Sequence, residues 1–287
     1  MKKKIFVSVC FLLVVWGTAR FCHHKTKGFR IEKVRGNTSS LSSSTIQIAR
    51  PDQRALLNQK FTYFGRGLQS FCFLGEDQTT VLKLFNNRYQ KKIQFLQKIP
   101  PIGSLKEWKH KRIGYLKKKL QMTFESYDLA NSLLENEAGI LYFHPEEREA
   151  SLGTLSVTDP LGITHTLDAD KLGFVLQKKA TLVYPYLASC MAENDEEKAK
   201  RAIEKLISLL ALKMDRGIAD RDPLIRTNFG FIGDEPMQID IGPFSMDPAM
   251  NFKKKPELKK ITLSLKHWLE ENYPPLAPYV DEAIETY

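Results

Sequence analysis

The chain has 287 residues, 43% of them apolar, and a formal net charge of +10. This length and apolar content allow one large hydrophobic core or two smaller ones, as in a globular protein. Four cysteines are too few for a dense disulfide framework, and the absence of a CxxC pair or a His/Cys cluster from the sequence argues against a structural zinc site.

The N-terminus has the composition of an export signal or a membrane anchor. MKKK precedes the uncharged, mostly apolar residues 5–19, with small residues at Gly17 and Ala19. A basic start, an apolar centre and a small-residue end are the parts of a signal peptide, and the run is shorter than the about 20 residues that span a bilayer. We therefore expect residues 1–19 to be a cleaved signal peptide or an uncleaved anchor, and the protein to be exported or membrane-anchored.

Residues 20–50 include GNTSSLSSST, a Ser/Thr-rich stretch that is too polar to pack. This composition predicts a linker. The folded part is expected to begin near Pro51.

Residues 61–85 predict a strand, a glycine loop, a second strand, a turn at GEDQ and a third strand. Gly65 and Gly67 would allow the backbone to approach phosphates, and Lys83 would place a positive charge inside an apolar strand. An ordinary hairpin with an edge lysine is the alternative. A dinucleotide-binding fingerprint is disfavoured, because the loop opens a strand rather than a helix and Ser70 stands at the third glycine position.

The segment from Arg88 to Lys119 carries eleven Lys or Arg residues and a single acid, Glu107. Such a run indicates a solvated helical face or a contact with an anionic partner. Its aromatic residues also suit core contacts, so nucleic acid is not the favoured partner.

The next elements alternate between helix and strand patterns. Residues 104 to about 138 have helical spacing, and within them Glu125 is the favoured partner for Lys83, with a plain surface glutamate as the alternative. A strand is predicted at 140–143 and a β-hairpin at 155–167. LGFVLQKKATLVYPYL reads as two further β-rich runs, so a mostly antiparallel sheet is expected in the first half.

A long helix is predicted from Asn194, ending before Gly217. Two short strands follow, at 229–232 and 237–241. Asp222 and Asn228 would then lie on a loop and Asp240 at a strand end, all facing one cleft. Carboxylate and amide oxygens of this kind suit Mg²⁺ together with phosphate oxygens.

In this order, the motifs resemble those of the protein-kinase-like fold over roughly residues 60–245. FGRGLQSFCF is similar to the glycine-rich loop, VLK to the strand lysine, RDPLIRTN to the catalytic loop and DIG to the metal-binding element. The resemblance implies a bilobal α+β fold, with an antiparallel-sheet N-lobe at 51–187 that includes a long helix, and a helical C-lobe at 188–287. Only thirty residues follow Glu257, so this C-lobe is expected to be reduced.

The resemblance also implies site residues, with ATP and Mg²⁺ as cofactors. Lys83 would hold the α- and β-phosphates and Glu125 would hold Lys83, while Asn228 and Asp240 would bind Mg²⁺. Asp222 would orient or deprotonate the acceptor hydroxyl. The residues expected around the nucleotide are Gly65, Gly67, Ser70 and Tyr184.

Two departures from the family pattern leave the catalytic base open. Asp222 stands six residues before Asn228 rather than five, and Asp220 occupies the usual histidine position, so either aspartate could serve. Three functions remain open. These are an ATP- and Mg²⁺-dependent phosphotransferase acting on an unknown protein or small molecule, a catalytically inactive kinase-like module that binds a nucleotide or a partner, and an unrelated α+β protein that binds through residues 88–119.

Overall fold

A computed structural model of the chain describes residues 2–35, 49–103, 105–145, 147 and 150–287, with side chains from residue 10 onward. The chain has the mixed α+β architecture that the sequence predicted. In the N-terminal part, a cluster of buried hydrophobic residues lies on each face of a large sheet. In the C-terminal part, a third cluster lies among helices and forms the core.

The N-terminal part is built on a seven-stranded sheet in the order β4-β7-β3-β2-β1-β5-β6. Neighbouring strands are antiparallel except β1 and β5, which run parallel. The three strands predicted between residues 61 and 85 are present as β1, β2 and β3. The strands are β1 (Lys60–Arg66), β2 (Ser70–Gly75), β3 (Thr80–Phe85), β4 (Ile140–His144), β5 (Thr154–Thr158), β6 (Thr164–Asp168) and β7 (Phe174–Lys178).

The central strand β3 shows why an inward lysine is possible here. All its residues are buried, and successive side chains point to opposite faces of the sheet. Leu82 and Leu84 therefore pack in the cluster on one face, while Lys83 pairs across the sheet with Cys72 on β2 and Val175 on β7. Val175 belongs to the cluster on the other face, which Phe124 and Tyr127 from a long helix complete.

Helices supply the rest of the fold. They are α1 (Lys2–Lys25), α2 (Pro51–Leu57), α3 (Arg88–Lys98), α4 (Leu105–Leu133), α5 (Glu135–Ala138), α6 (Val183–Ala192), α7 (Glu196–Asp215), α8 (Ile225–Asn228), α9 (Lys254–Asn272) and α10 (Ala277–Glu285). Two small sheets lie among them, one formed by β8 (Thr181–Leu182), β10 (Phe229–Ile232) and β11 (Glu235–Gln238), and one by β9 (Ile218–Asp220) and β12 (Phe244–Met246).

The predicted long helix of the second half is α7. The Asp195 side chain caps it by accepting a hydrogen bond from the backbone N–H of Lys198 at 2.9 Å. The helix ends before Gly217, whose φ of +70° is a left-handed conformation that favours glycine. Both ends therefore follow from residue chemistry that the sequence displays.

The second β-rich run predicted before Pro185 is confirmed only at Thr181–Leu182, which form β8, because the chain enters α6 at Val183. Proline is compatible with this position since the first-turn N–H groups of a helix have no intrahelical partner. Val183 and Leu187 are buried in the C-terminal cluster. The predicted lobe boundary at 187/188 therefore falls inside α6.

Part of the predicted linker, residues 20–50, belongs to the core. Phe29 and Val34 are buried in the cluster beneath the sheet, and the ring of Phe29 makes edge contacts with Phe71 and Phe73 at centroid distances of 5.2 and 5.4 Å. GNTSSLSSST itself lies outside the described residues. The fold therefore includes residues well before Pro51.

The turn between β2 and β3 is closed by the carboxylate of Asp77. It accepts hydrogen bonds from the backbone N–H groups of Thr79 and Thr80, both at 2.9 Å, and from the Thr80 hydroxyl at 2.6 Å. Burial alone would raise its pKa, but these hydrogen bonds and one from Gln59 outweigh it and lower the pKa of Asp77 to about 2.

The N-terminal residues form the single helix α1, which continues past the predicted cleavage position to Lys25. Among the described helices, none combines the length and the apolar character that crossing a bilayer requires. This finding contradicts the prediction that an N-terminal hydrophobic segment exports or anchors the chain.

Candidate functional site

A cavity of about 290 Å³ lies where the sheet meets the C-terminal part. The β1–β2 loop contributes Gly65, Gly67 and Ser70 to its lining. The lining also includes Lys83 from β3 and Asp240 from the segment after β11. The structure thus brings together residues that are separated by up to 175 positions in the sequence. These five lining residues are ones that the sequence analysis had selected.

Lys83 is directed into this cavity although its side chain is only 7% exposed. Its Nζ donates a hydrogen bond to the backbone carbonyl of Ile239, the residue before Asp240. A lysine on a central strand therefore contacts the chain segment that carries the candidate metal ligand. Within the described part of the chain, Lys83 forms no ion pair with a carboxylate.

The glycine loop closes the cavity above Asp240. Gly67 donates its backbone N–H to the carbonyl of Ser70 at 2.9 Å, which makes the loop a tight hairpin. A Cβ on Gly67 would stand 3.8 Å from Oδ2 of Asp240, so the absence of a side chain keeps open the space between loop and carboxylate. Nothing lies within 4 Å of the corresponding point at Gly65.

The loop that carries Asp222 and Asn228 is fixed by hydrogen bonds to its own backbone. Nδ2 of Asn228 donates to the carbonyl of Asp222 at 2.7 Å, and its Oδ1 accepts from the hydroxyl of Thr227 at 2.8 Å. The carbonyl of Asn228 accepts hydrogen bonds from the N–H groups of Ile239, at 2.8 Å, and Asp240, at 3.3 Å. These bonds hold the loop against the segment that presents Asp240.

The two candidate bases occupy different environments. Asp222 is exposed, and its carboxylate has no hydrogen-bond partner among the described residues. Asp220 is buried and pairs with Lys213 at 2.8 Å. It also accepts from Nε2 of Gln238, at 2.9 Å, and from the backbone N–H of Asp222, at 3.0 Å. Asp220 is therefore engaged in holding the loop, whereas Asp222 is open to a substrate.

Lys213 from α7 adds further contacts to those that hold the loop of Asp222 in place. Burial lowers its pKa, and the Asp220 carboxylate acts in the opposite direction. Its Nζ also contacts Oε1 of Gln238 and lies 5.1 Å from the ring centroid of Phe229 and 4.8 Å from that of Phe244. Gln238 in turn donates to the carbonyl of Asp240 at 3.1 Å. Lys213 thus connects the loop of the candidate base with the segment of the candidate metal ligand.

Gly242, the last residue of the DIG motif, packs directly against the same loop. A Cβ at this position would lie 3.1 Å from Oδ1 of Asp220 and 3.4 Å from Cβ of Asp222. The contact with Asp220 is tighter than ordinary van der Waals packing, so a side chain at this position would push against the Asp220 carboxylate. The absence of a side chain at Gly242 therefore lets the two segments approach closely.

Five selected residues do not line this cavity: Asp220, Asp222 and Asn228 lie on the adjoining segment described above, and Glu125 and Tyr184 lie away from it. Glu125 lies on the exposed face of α4, where it accepts a hydrogen bond from Gln121 at 2.7 Å, and the predicted Lys83–Glu125 pair is not present. The apolar face of α4, which includes its neighbours Phe124 and Tyr127, packs inward against the sheet instead. Tyr184 packs in the C-terminal cluster and stacks on Trp268 with ring centroids 4.5 Å apart, because it lies on α6 rather than on a strand.

Lys83 and Asp240 both act electrostatically on the Cys72 thiol at the cavity wall. Burial raises the pKa of Cys72, Lys83 acts to lower this pKa, and Asp240 acts to raise it. Burial also raises the pKa of Tyr127 well above its ordinary value, and Asp240 contributes in the same direction. A cation and an anion thus act on the same thiol.

The sequence analysis missed the lining contributed by the end of β7 and the two residues after it. Gln177, Lys178, Lys179 and Ala180 line the cavity, as do Thr227 and Ile239. The signal for the first four was the position of QKKA at the end of a buried strand, where the chain must pass from one part of the fold to the other. Thr227 and Ile239 could have been inferred only as neighbours of Asn228 and Asp240.

The residues present fit a Mg²⁺ ion only if a phosphate ligand accompanies it. Among the described residues, no three His, Cys, Asp or Glu side chains gather closely enough to hold a metal. Asp240 offers a carboxylate beneath the glycine loop, and Asn228 offers an amide oxygen that already accepts one hydrogen bond. Mg²⁺ commonly takes one or two carboxylates and completes its octahedron with phosphate oxygens and water.

Comparison with known proteins gives matches at the level of structure alone. No family model and no curated protein sequence matches the chain. Similar solved structures include Rv3197 in complex with erythromycin from Mycobacterium tuberculosis, with 14% identity, a TM-score of 0.37 and coverage of 80% of this chain and 56% of that one. WbdD bound to the kinase inhibitor LY294002 has 14% identity and a TM-score of 0.34, covering 77% of this chain and 44% of that one.

A further structure, described as the bifunctional kinase-methyltransferase WbdD, has 16% identity, a TM-score of 0.33 and coverage of 76% of this chain and 42% of that one. The chain therefore spans about half the length of these proteins.

Proposed function

We propose that the chain is an ATP- and Mg²⁺-dependent phosphotransferase of the protein-kinase-like type. The observation that carries the proposal is the position of Lys83 and Asp240 on one cavity beneath the glycine loop. Phosphoryl transfer requires mainly that the reactants be positioned in line and that phosphate charge be neutralised. In a cavity of about 290 Å³, Lys83 supplies a fixed cation for phosphate oxygens and Asp240 supplies a carboxylate that would hold the metal.

Each residue has a specific part in this reaction. Lys83 exchanges its contact with the Ile239 carbonyl for oxygens of the α- and β-phosphates. Asp240 and Asn228 would hold Mg²⁺, and the bound metal would supply positive charge to the phosphate oxygens. Asp222, exposed and without a side-chain partner among the described residues, accepts the proton of the acceptor hydroxyl. Asp220 is a positioning residue that acts through the backbone of Asp222.

ATP turnover by substituted proteins tests the proposal. Lys83→Met removes a charge directed at the phosphates, and loss of one such donor lowers kcat by about 10²- to 10³-fold. Asp240→Asn should reduce turnover to background while the protein keeps its circular dichroism spectrum. Lys117→Met is the matched control, because this lysine lies on the exposed face of α4 and lines neither cavity. Turnover that survives both Lys83→Met and Asp240→Asn contradicts the proposal.

One observation favours a second function, a catalytically inactive module that binds nucleotide. Lys83 has no carboxylate partner within the described residues, and Glu125 faces solvent. The lysine is therefore held only by a backbone carbonyl. For this function we expect Mg·ATP to raise the melting temperature of the protein without any release of ADP, whereas the phosphotransferase produces both effects.

A further inference from the structure

A second cavity, of about 310 Å³, adjoins the first and shares Asp240 with it. Its lining comes from the tip of the glycine loop, from α4 and from the loop that carries Asp222. A group bound there would have the candidate base on its wall and the candidate metal ligand between itself and the nucleotide cavity. This is the arrangement that an acceptor for phosphoryl transfer requires.

The second cavity is lined by a lysine that no carboxylate of the described residues neutralises. Lys119 on α4 is half-buried, and its Nζ lies 5.9 Å from the ring centroid of Tyr115. No carboxylate of the described residues lies within ion-pair distance of it. An uncompensated cation on a cavity wall favours an anionic ligand.

Negative and positive side chains on different elements line the second cavity. The carboxylates of Asp222 and Asp240 come from the C-terminal segments, and Lys119 comes from α4. Tyr89 of α3 also lines the cavity, and its hydroxyl accepts a hydrogen bond from Arg88 at 2.7 Å, which leaves the hydroxyl proton free to donate. The helical side therefore offers donors and positive charge, suited to an anionic group.

We propose that this cavity binds the phosphoryl acceptor, and that the acceptor is a small hydroxylated anion such as a sugar phosphate. Its reacting hydroxyl faces Asp222, and its anionic group binds Lys119, which is a specificity-determining residue. The volume is at the lower end of small-molecule sites, which favours a metabolite over a folded protein segment. The proposal rests on the phosphotransferase function and names its substrate class.

The transfer step balances as follows. The acceptor hydroxyl oxygen forms a bond to the γ-phosphorus of ATP, and the bond from that phosphorus to the β–γ bridging oxygen breaks. ADP leaves with the electron pair of the broken bond. The hydroxyl proton passes to the Asp222 carboxylate, and the products are a phosphate ester and ADP.

Binding of matched probe pairs to the full chain tests the assignment. The pairs are glycerol with glycerol 3-phosphate, ribose with ribose 5-phosphate, and glucose with glucose 6-phosphate, each titrated at millimolar concentration by calorimetry with and without Mg·ADP. We expect at least one phosphorylated probe to bind more tightly than its neutral partner. Lys119→Ala should weaken that binding by about 10- to 100-fold, because a hydrogen bond to a charged group is lost.

Two variants separate a specific contact from general charge. Lys119→Arg keeps the positive charge and should retain most of the affinity. Lys117→Ala removes a charge from the exposed face of the same helix, outside the cavity lining, and should leave affinity unchanged. In turnover assays Lys119→Ala should raise KM for the phosphorylated acceptor and leave KM for ATP and kcat unaltered.

Several results would overturn the assignment: equal binding of charged and neutral probes, no binding of any phosphorylated probe, or equal losses in Lys117→Ala and Lys119→Ala. Failure of the phosphotransferase function itself looks different. In that case no ester forms from any probe, whether or not Mg·ADP binds, while the titrations without nucleotide still report whether Lys119 recognises an anion.

Discussion

Replacing Lys213 by Met should destabilise the protein far more than removing an ordinary surface lysine. The Lys213 and Asp220 side chains are 3% and 5% exposed and lie 2.8 Å apart. After the substitution, the Asp220 carboxylate stays buried without its cation, and breaking such a pair costs about 3–5 kcal/mol. Unfolding in urea, followed by fluorescence, measures the change in free energy. Lys213→Met combined with Asp220→Asn should recover most of the loss, because neither charge is then left buried alone.

Lys205→Met is the matched control for this prediction. Lys205 pairs with Glu235 at 2.6 Å, yet the two side chains are 41% and 73% exposed. An exposed pair contributes about 0–1 kcal/mol. A loss in Lys213→Met that is no larger than in Lys205→Met would refute the view that Lys213 braces the loop of the candidate base.

Three further predictions concern stability. Asp77 has a pKa of about 2 in the folded protein against an ordinary 3.8, so its stabilising effect should be complete above about pH 4 and disappear as the pH falls towards 2, a dependence that Asp77→Asn should remove from urea unfolding curves. Gly242→Ala should cost roughly 1–3 kcal/mol through crowding of the loop beside it, whereas Gly65→Ala, which meets nothing within 4 Å, should be close to neutral in thermal melts. Phe29→Ala should cost about 3–5 kcal/mol in the same melts, while Phe252→Ala, at a side chain 88% exposed, should have little effect.

Each of these predictions has a clear contrary result. An unchanged acid profile in Asp77→Asn would mean that another group titrates in that range. Equal melts for Gly242→Ala and Gly65→Ala would contradict the close approach at the DIG motif. A Phe29→Ala protein as stable as the Phe252→Ala protein would contradict the inclusion of residues 28–34 in the core.

The parts of the fold that could be predicted are those set by local chemistry. The alternation of apolar residues predicted β1, β2 and β3. The acidic residues at its start and the glycine after its end predicted α7. The order of the motifs along the chain also predicted that Lys83 and Asp240 would share a cleft, and both residues line one cavity. Local patterns of this kind survive packing, since side-chain periodicity decides which face is buried.

The errors arose where tertiary packing decided between local alternatives. VYPYL has strand-like composition, but it forms α6 because its apolar residues pack in the helical cluster. The phase of α4 turns Glu125 outward, and the spacing of charged residues alone could not fix that phase. Phe29 and Val34 are isolated apolar residues beside a polar stretch, and only the uncovered face of the sheet explains their burial.

The most direct test is the Mg²⁺ dependence of ATP binding to the full chain, measured by calorimetry for the unsubstituted protein, Lys83→Met and Asp240→Asn. We predict that Mg²⁺ tightens ATP binding to the unsubstituted protein and has no such effect on Asp240→Asn. Lys83→Met should bind ATP more weakly with and without the metal. Mg²⁺ dependence that persists in Asp240→Asn, or ATP affinity that is unchanged in Lys83→Met, would contradict a shared nucleotide site formed by these two residues.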